Sequence, residues 1–365
     1  MNIFAEIEGI EYKIKIPNKL KIIDFKDFNI NNIPSSCIIK NDKVNFAISK
    51  WVSPKRTRSY PFERVYNTLS VSKKLTVIPI IKDEGLKGDR DFIQWDTVSL
   101  MSLLDVYVIF AYYNKADKHK TRANKITRQQ FENNYIISKI NEISNYYSSA
   151  LHWNLKEIKE TLPSLIQNVK DHYSEIGTLL NVKFHNKNGI DRFQKQFDTG
   201  FQTFMETSRK KAKEAQNREQ LTIQPKEILT TATKAKITIK NFLGGLYYLT
   251  TDEIEIQENK LYLIEAKHSK NAKLPNIGDI KDGLLKMILY CNLKNVKISD
   301  KNYIAFPILK LTSSKLLSSY KTGNSEEEKQ NFFEENKLNK KQINLINNLL
   351  IESNVNNIKI IISNL

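Results

Sequence analysis

The sequence predicts a mixed α/β protein in which a central mixed sheet is flanked by helices and accompanied by additional helical segments. Two patterns favour this class: short runs of β-branched residues bounded by turn residues, and longer stretches whose apolar residues have helical spacing. With 40% hydrophobic and 10% aromatic residues, the chain can bury a sizeable core. Its 365 residues are enough for one large domain or two ordinary ones.

The first predicted region, residues 1–195, combines strands with helices. Alternation of polar and apolar residues from Ile3 to Ile23 predicts two short strands. The runs Lys73–Ile81 and Asp105–Tyr113 are rich in β-branched and aromatic residues and predict buried strands with a helix between them. From Phe131 to about Leu180 the spacing is helical, and two or three helices are expected.

The pattern changes near residue 196. In residues 196–311 a helix over about 198–216 is followed by four strand-like segments, an amphipathic helix over 277–292 and another strand. Residues 312–365 predict a helical tail that ends in a strand. The expected organisation is therefore an N-terminal region, a central core and a C-terminal tail.

The net charge points to a polyanionic partner. Lys and Arg number 57 and Asp and Glu number 40, which gives a formal net charge of +17. The alternative is a compositional habit, because Lys, Asn and Ile are frequent throughout the chain. The net charge therefore suggests a nucleic acid as a partner but does not prove that the protein binds one.

The cysteine content and the apolar runs bear on the compartment. Cys37 and Cys291 cannot form a disulfide framework and lack the spacing of a zinc knuckle, so a reducing compartment, the cytoplasm, is expected. No apolar run approaches the roughly 20 residues that span a bilayer, and no apolar block like that of a signal peptide begins the sequence. We expect no association with a membrane.

The stretch Thr250–Ser269 carries the most specific pattern. Two apolar runs flank Gln257–Lys260 and predict a β-hairpin with a two-residue loop. Its register pairs Ile256 with Leu261, Ile254 with Leu263, and Asp252 with Glu265. An odd loop would slide the pairing by one residue and place Glu253 opposite Glu265 instead.

The expected pair of carboxylates suggests a metal site. Side chains on facing strands have Cβ atoms about 4.5–5.5 Å apart, so Asp252 and Glu265 would repel unless a divalent cation lay between them. Lys267 lies on the same face as Glu265, about 6.6 Å further along the strand. An acid pair followed by an ammonium group can position a cation and an attacking water beside a phosphate.

Asp252 and the sequence Glu265-Ala266-Lys267, at the end of an apolar strand that a helix follows, resemble the active-site signature of the PD-(D/E)XK nucleases, especially the type II restriction endonucleases. Thr251 stands where the family often has proline. The resemblance covers roughly residues 201–311. It implies a restriction-endonuclease-like core in residues 196–311 and DNA recognition in residues 1–195.

The resemblance also implies the roles of the residues. Asp252, Glu265 and Lys267 would be catalytic, and Asp252, Glu265 and the carbonyl of Ala266 would bind Mg²⁺. Glu206, on the preceding helix, is a weaker candidate for a further acid. The implied activity is sequence-specific hydrolysis of double-stranded DNA by a homodimer, with a DNA methyltransferase as its genetic partner.

The basic segments supply candidates for phosphate contacts. These candidates are Lys55, Arg56, Arg58, Lys118, Lys120, Arg122, Arg209, Lys210 and Lys211. For any one of them an ordinary solvated surface is an equal alternative. The residues that read bases are not visible in the sequence.

Two rival functions stay open: a repair or recombination nuclease that cuts by DNA structure, and a DNA-binding protein without catalysis. In the second, the arrangement of Asp252, Glu265 and Lys267 would be accidental. It would then be a cross-strand ion pair, or a carboxylate and a lysine that reach water at a strand end. A second acidic cluster, Asp83, Asp89 and Asp91, has as its alternative a glycine-containing loop after which Asp96 caps a helix. The histidines lack metal-ligand spacing and no phosphate-binding P-loop is present, so neither a zinc hydrolase nor an ATP-driven translocase is expected.

Overall fold

The structure is a computed structural model and describes residues 1–42, 44–54, 62–198, 200–221, 234–241 and 246–364. The chain divides into two units. The terminal unit contains Met1–Lys19 and Lys211–Leu365, and the inserted unit contains Leu20–Lys210. This division differs from the three predicted regions, because the beginning of the chain groups with its last part.

The described residues form the following elements in chain order. The strands are β1 (Asn2–Ile7), β2 (Lys21–Asp24), β3 (Ser36–Lys40), β4 (Phe46–Lys50), β5 (Lys73–Pro79), β6 (Ile81–Asp83), β7 (Arg90–Phe92), β8 (Val106–Ala111), β9 (Tyr113–Lys118), β10 (Ile126–Phe131), β11 (Ala235–Asn241), β12 (Leu246–Thr251), β13 (Glu253–Gln257), β14 (Lys260–Ser269), β15 (Lys294–Ile298), β16 (Lys301–Ser313), β17 (Tyr320–Lys321) and β18 (Lys359–Ser363). The helices are α1 (Phe62–Thr68), α2 (Trp95–Leu103), α3 (Asn133–Ser144), α4 (Ala150–Lys156), α5 (Leu162–Leu180), α6 (Asn188–Asp198), α7 (Phe201–Leu221), α8 (Ile277–Cys291), α9 (Glu326–Glu335) and α10 (Lys340–Asn356). A 3₁₀ turn, Phe25–Asp27, follows β2, and a π-helical turn, Glu157–Thr161, joins α4 to α5.

The terminal unit is built on a mixed sheet with strand order β12-β11-β1-β15-β16-β14-β13, and β18 pairs with both β16 and β17. β1 and β11 are parallel, as are β14 and β16, whereas β11 and β12 are antiparallel. α8 packs against β14 and β16, and α10 packs against β18. A mixed sheet flanked by helices, as the sequence predicts, is therefore present in this unit.

This sheet has two halves: one contains β12, β11, β1 and β15, and the other contains β14, β13 and β18. Two segments of the chain pass from one half to the other. The first residues of β16 pair with β15, and its later residues pair with β14 and β18. β12 pairs with β11 and β13 pairs with β14, and only the bend at Asp252 separates β12 from β13. The chain therefore passes at Asp252 from one half of the sheet to the other.

The β13–β14 hairpin has the predicted register. Ile256 pairs with Leu261 and Ile254 with Leu263, and the ladder ends where Glu253 pairs with Ile264. The alternative register, with Glu253 opposite Glu265, is wrong. Asp252 lies in the bend before the ladder, so it is not a strand partner of Glu265 as predicted.

α8 covers the face of β14 that carries Leu261, Leu263 and Glu265. The helix begins after Asn276, whose side chain accepts a hydrogen bond from the backbone N–H of Asp279 at 2.9 Å. A Cβ atom on Gly283 would lie 2.7 Å from Cδ1 of Leu309 and 3.3 Å from Cε of Lys267. The absence of a side chain at residue 283 therefore lets α8 lie close to the sheet.

The predicted second strand within residues 3–23 is only partly correct. β1 ends at Ile7, β2 begins at Lys21, and the Lys-Ile alternation between them does not form a strand. Instead, a fully buried carboxylate on α10, that of Glu352, accepts hydrogen bonds from the backbone N–H groups of Lys15 and Ile16 at 2.8 and 2.9 Å. A side chain here supplies the acceptors that a neighbouring strand would have supplied.

The inserted unit is built on a sheet with order β2-β3-β4-β5-β8, in which β3 and β4 are antiparallel and the other neighbours are parallel. The predicted strands over 73–81 and 105–113 correspond to β5 and β8, and β8 is buried along its whole length. α2, α3 and α4 pack against β8. The hairpins β6–β7 and β9–β10 complete the unit.

Within the described ranges, no helix combines the length and the apolar character that crossing a bilayer requires.

Glu352→Gln should destabilise the terminal unit. The carboxylate also accepts a hydrogen bond from the hydroxyl of Tyr12 at 2.9 Å, and a glutamine amide would turn a donor toward one of these donors. We expect the free energy of unfolding to fall by ~2–4 kcal/mol, measured by urea denaturation. Glu335→Gln, at an exposed residue of α9, is the control; equal stability of the two variants would contradict the anchoring role.

Candidate active site

The bend at Asp252 and the part of β14 just beyond its ladder with β13 bring together the predicted acid pair. The ladder between β13 and β14 ends at Ile264, and beyond it the backbone N–H of Ala266 donates a hydrogen bond to Oδ2 of Asp252 at 2.9 Å. This bond places the Asp252 carboxylate beside Glu265, the preceding residue. The bend is held by Thr251, whose hydroxyl donates to the carbonyl of Ile264 at 2.8 Å.

Glu265 is the most deeply buried member of the site. Its side chain is 2% exposed, and each of its oxygens contacts a lysine. Nζ of Lys267 lies 2.8 Å from Oε1, and Nζ of Lys286 lies 2.7 Å from Oε2. Lys286 comes from α8 and also donates to the carbonyl of Thr250 at 3.2 Å.

The two carboxyl groups have opposite electrostatic environments. Burial and the negative charge of Glu265 raise the pKa of Asp252 from 3.8 to about 6, against the opposing effect of Lys286 and the Ala266 N–H. Burial also disfavours the charge of Glu265, but Lys286 and Lys267 outweigh it and lower the pKa of Glu265 to about 2. At neutral pH both are ionised, and Asp252 is the carboxylate that the surroundings stabilise less.

The donor atoms fit a hard divalent cation. Mg²⁺ prefers oxygen ligands, and Asp252, Glu265 and the carbonyl of Ala266 offer them. No group of three His, Cys, Asp or Glu side chains that could hold a metal occurs within the described residues. A cation at the acid pair would therefore depend on two carboxylates, backbone carbonyls and water.

The opposite face of β14 carries separate contacts. Oε2 of Glu253 lies 3.0 Å from Nζ of Lys310, and the ring Nδ1 of His268 lies 3.0 Å from the hydroxyl of Thr312. Side chains alternate along a strand, so Ile264, Ala266 and His268 lie on the face opposite Glu265 and Lys267. Glu253 is consequently a matched comparison for Asp252: an adjacent acid with a lysine partner on the other face.

The predicted DNA contacts fall into three groups. Lys55, Arg56 and Arg58 lie outside the described residues. Lys118, Lys120 and Arg122 are exposed at the tip of the β9–β10 hairpin in the inserted unit. Arg209, Lys210 and Lys211 follow one another on α7, with Lys210 and Lys211 exposed. Glu206, the weaker candidate for a further acid, is also an exposed residue of α7.

The β9–β10 hairpin is anchored at its base and ordered at its tip. The rings of Tyr113 and Phe131 are both buried and stack with their centroids 4.4 Å apart. At the tip, Nδ1 of His119 accepts from the backbone N–H groups of Thr121 and Arg122, both at 3.2 Å. The cationic side chains there therefore project from a defined backbone.

The second acidic cluster has the contacts of a structural turn. Oδ1 of Asp83 lies 2.8 Å from Nδ1 of His185 and accepts from the N–H of Gly85 at 2.8 Å. Asp91 accepts from the hydroxyl of Ser53 at 3.0 Å, and Asp89 is exposed. The expected cap is wrong, because the N-cap of α2 is Gln94 and Asp96 lies in the first turn.

Sequence reasoning missed Lys286. Its signal lay in the amphipathic spacing of α8: Gly283 and Met287 belong to the buried side of the helix, and Lys286 lies one turn from Gly283. Only the packing of α8 on β14 brings that side to Glu265.

Comparisons of the chain with protein-family models, with curated proteins and with solved structures found no match.

Asp252→Asn should change the pH dependence of stability in protein kept free of divalent cations. Because folding raises the pKa of this carboxyl to about 6, the folded state holds a proton that the unfolded state loses from about pH 4. Ionisation therefore costs stability as the pH rises through this window, up to ~3 kcal/mol. Asparagine does not ionise, so the variant should be more stable than the parent near neutral pH.

Urea denaturation in a chelator, at several values between about pH 4 and about pH 7.5, measures this difference. We expect it to grow with pH and to be small at the acidic end. Glu253→Gln reports the effect of losing one negative charge elsewhere in the hairpin. A constant difference across the range would contradict the perturbed carboxyl.

Proposed function

We propose that the terminal unit is the catalytic part of a Mg²⁺-dependent endonuclease that hydrolyses double-stranded DNA at specific sequences, as type II restriction endonucleases do. We also propose that its mixed sheet is the restriction-endonuclease-like core. The observation that carries the proposal is the bond between Asp252 and the Ala266 N–H, which gathers two carboxylates and a lysine beside the point where the β13–β14 ladder ends. The resemblance of these residues to the PD-(D/E)XK signature, and the +17 charge, support it.

Different residues of the chain would carry out different parts of the reaction. Asp252, Glu265 and the Ala266 carbonyl would hold Mg²⁺, which when bound supplies Lewis acidity toward a phosphodiester. Glu265 remains ionised well below neutral pH, which is the state that a metal ligand requires, while Lys267 and Lys286 contact its two oxygens. Nζ of Lys267 lies 2.8 Å from Oε1 of Glu265, where its ammonium group can orient the attacking water and offset the negative charge that grows on the phosphate.

The proposal has consequences for the partners. Cutting both strands in one binding event takes two active sites, which a homodimer would supply. A cell that makes such an enzyme must protect its own DNA, which a DNA methyltransferase of the same specificity would do. Both the DNA and the reducing conditions that suit the cysteines are those of the cytoplasm.

Purified protein should cut duplex DNA into discrete fragments with Mg²⁺ and stop when the metal is chelated. Asp252→Ala and Glu265→Ala should each lower the cleavage rate by roughly a thousandfold or more, measured by gel electrophoresis of a plasmid digest. Glu253→Ala removes a neighbouring acid from the other face and should stay active. An inactive Glu253→Ala beside an active Asp252→Ala would refute the site assignment.

Lys267→Ala should separate catalysis from binding. We expect this variant to bind duplex DNA in Ca²⁺ nearly as well as the parent and to cut it roughly 10²–10³ times more slowly in Mg²⁺. Mobility shift and cleavage of the same oligonucleotide measure the two effects. Proportional losses would make Lys267 a phosphate anchor, and a parent that binds but cuts no DNA would favour the non-catalytic binder.

The tip of the β9–β10 hairpin should contribute phosphate contacts. Each contact steepens the dependence of log K on log salt by about 0.9, so replacing Lys118, Lys120 and Arg122 by Ala should flatten the slope by about 2–3. Fluorescence anisotropy of a labelled duplex in Ca²⁺ measures it. The control removes the same charge from exposed residues on or next to α10: Lys337, Lys340 and Lys341. An equal effect of both triple variants would assign the slope to net charge alone.

A further inference from the structure

α8 brings to the acid pair a lysine that the proposed reaction does not use. Nζ of Lys286 lies 2.7 Å from Oε2 of Glu265 and 3.2 Å from the carbonyl oxygen of Thr250. The side chain of Lys286 is 21% exposed and that of Glu265 is 2% exposed. Since Lys267 contacts Oε1, an ammonium group lies at each oxygen of Glu265.

The charges of the cluster balance without a metal. Two adjacent carboxylates, Asp252 and Glu265, repel each other, and a buried carboxylate is tolerated only when a partner compensates its charge. Lys267 and Lys286 provide two positive charges for these two negative ones. A divalent cation bound by the same carboxylates would leave the cluster with two positive charges in excess.

Of the two lysines, Lys286 is the one that can yield. Lys267 lies on the same strand as Glu265, and its side chain packs against α8 at Gly283. Lys286 extends from the helix and already has a second acceptor in the carbonyl of Thr250. It can therefore leave Oε2 without losing every polar contact.

We propose that Lys286 is a displaceable counter-ion, which holds Glu265 in the metal-free protein and competes with the divalent cation for it. The inference rests on the proposed function, because it takes the acid pair as the cation site. Lys286 is then a positioning residue, and its charge sets how tightly the cation binds. Removing that charge should make the cation bind more tightly. If Lys286 instead helped to hold the metal, its removal would weaken cation binding. If its role were purely structural, its removal would leave cation binding unchanged.

The test is the affinity for Mn²⁺ alone, without DNA, measured by calorimetric titration. Lys286→Met removes the charge and preserves the length of the side chain, and we expect its dissociation constant for Mn²⁺ to fall about tenfold. Lys286→Arg keeps the charge and should bind Mn²⁺ as the parent does. Lys310→Met, which removes the lysine partner of Glu253 on the opposite face, should also leave the affinity unchanged.

Circular dichroism establishes that each variant is folded, and Lys286→Gln replaces Lys286→Met if the latter is not. Thermal melts in chelator and in Mn²⁺ give a second measurement: the uncharged variant should melt below the parent in chelator, and Mn²⁺ should raise its melting temperature more. If the folded uncharged variants bind Mn²⁺ as tightly as the parent or more weakly, the inference is overturned. The proposed function is still upheld in that case, provided that the parent binds Mn²⁺ and cuts DNA. Absence of Mn²⁺ binding by the parent and the variants alike would overturn both.

Discussion

The charge of Glu265, buried within β14 just beyond the end of its ladder with β13, is the constraint on which the terminal unit depends. A carboxylate on a side chain that is 2% exposed needs partners of opposite charge. Lys267 meets part of this need from β14 itself, whereas Lys286 meets the rest only if α8 lies close to β14. Residue 283 permits that approach because it has no side chain. The bend at Asp252 then adds a second acid to a neighbourhood whose positive charges are already in place.

The parts of this arrangement that follow a local period were predictable. Alternating Ile and Leu residues determine the register of β13 and β14, because a slip of one residue would turn each set to the other face. The position of Asp252 was not predictable. The pattern places Asp252 within the first strand of the hairpin and carries no sign of the bend that the structure has there. Lys286 is 21 residues from Glu265 in the sequence, and only tertiary packing brings the two into contact.

Long-range pairing also explains why the predicted boundaries at residues 195 and 311 differ from the two units. β1 is parallel to β11, and β18 is parallel to β16, so residues from both ends of the chain complete one sheet. Neither pairing leaves a mark in the local composition. The segment around Lys15 has the alternation of a strand, yet its backbone N–H groups donate to the side chain of Glu352 on α10. A local sequence pattern cannot predict an acceptor that is more than 300 residues away.

The parallel pairing of β1 with β11 has a consequence for synthesis on the ribosome. β1 ends at Ile7 and β11 begins at Ala235, with the whole inserted unit between them. At the usual pace of translation, β1 waits roughly 10–50 s for its partner strand. The inserted unit, which is continuous in the chain, can fold during that interval. Chaperones that shield an extended apolar segment would then act on β1, and slower elongation through residues 20–210 would lengthen its exposure to aggregation.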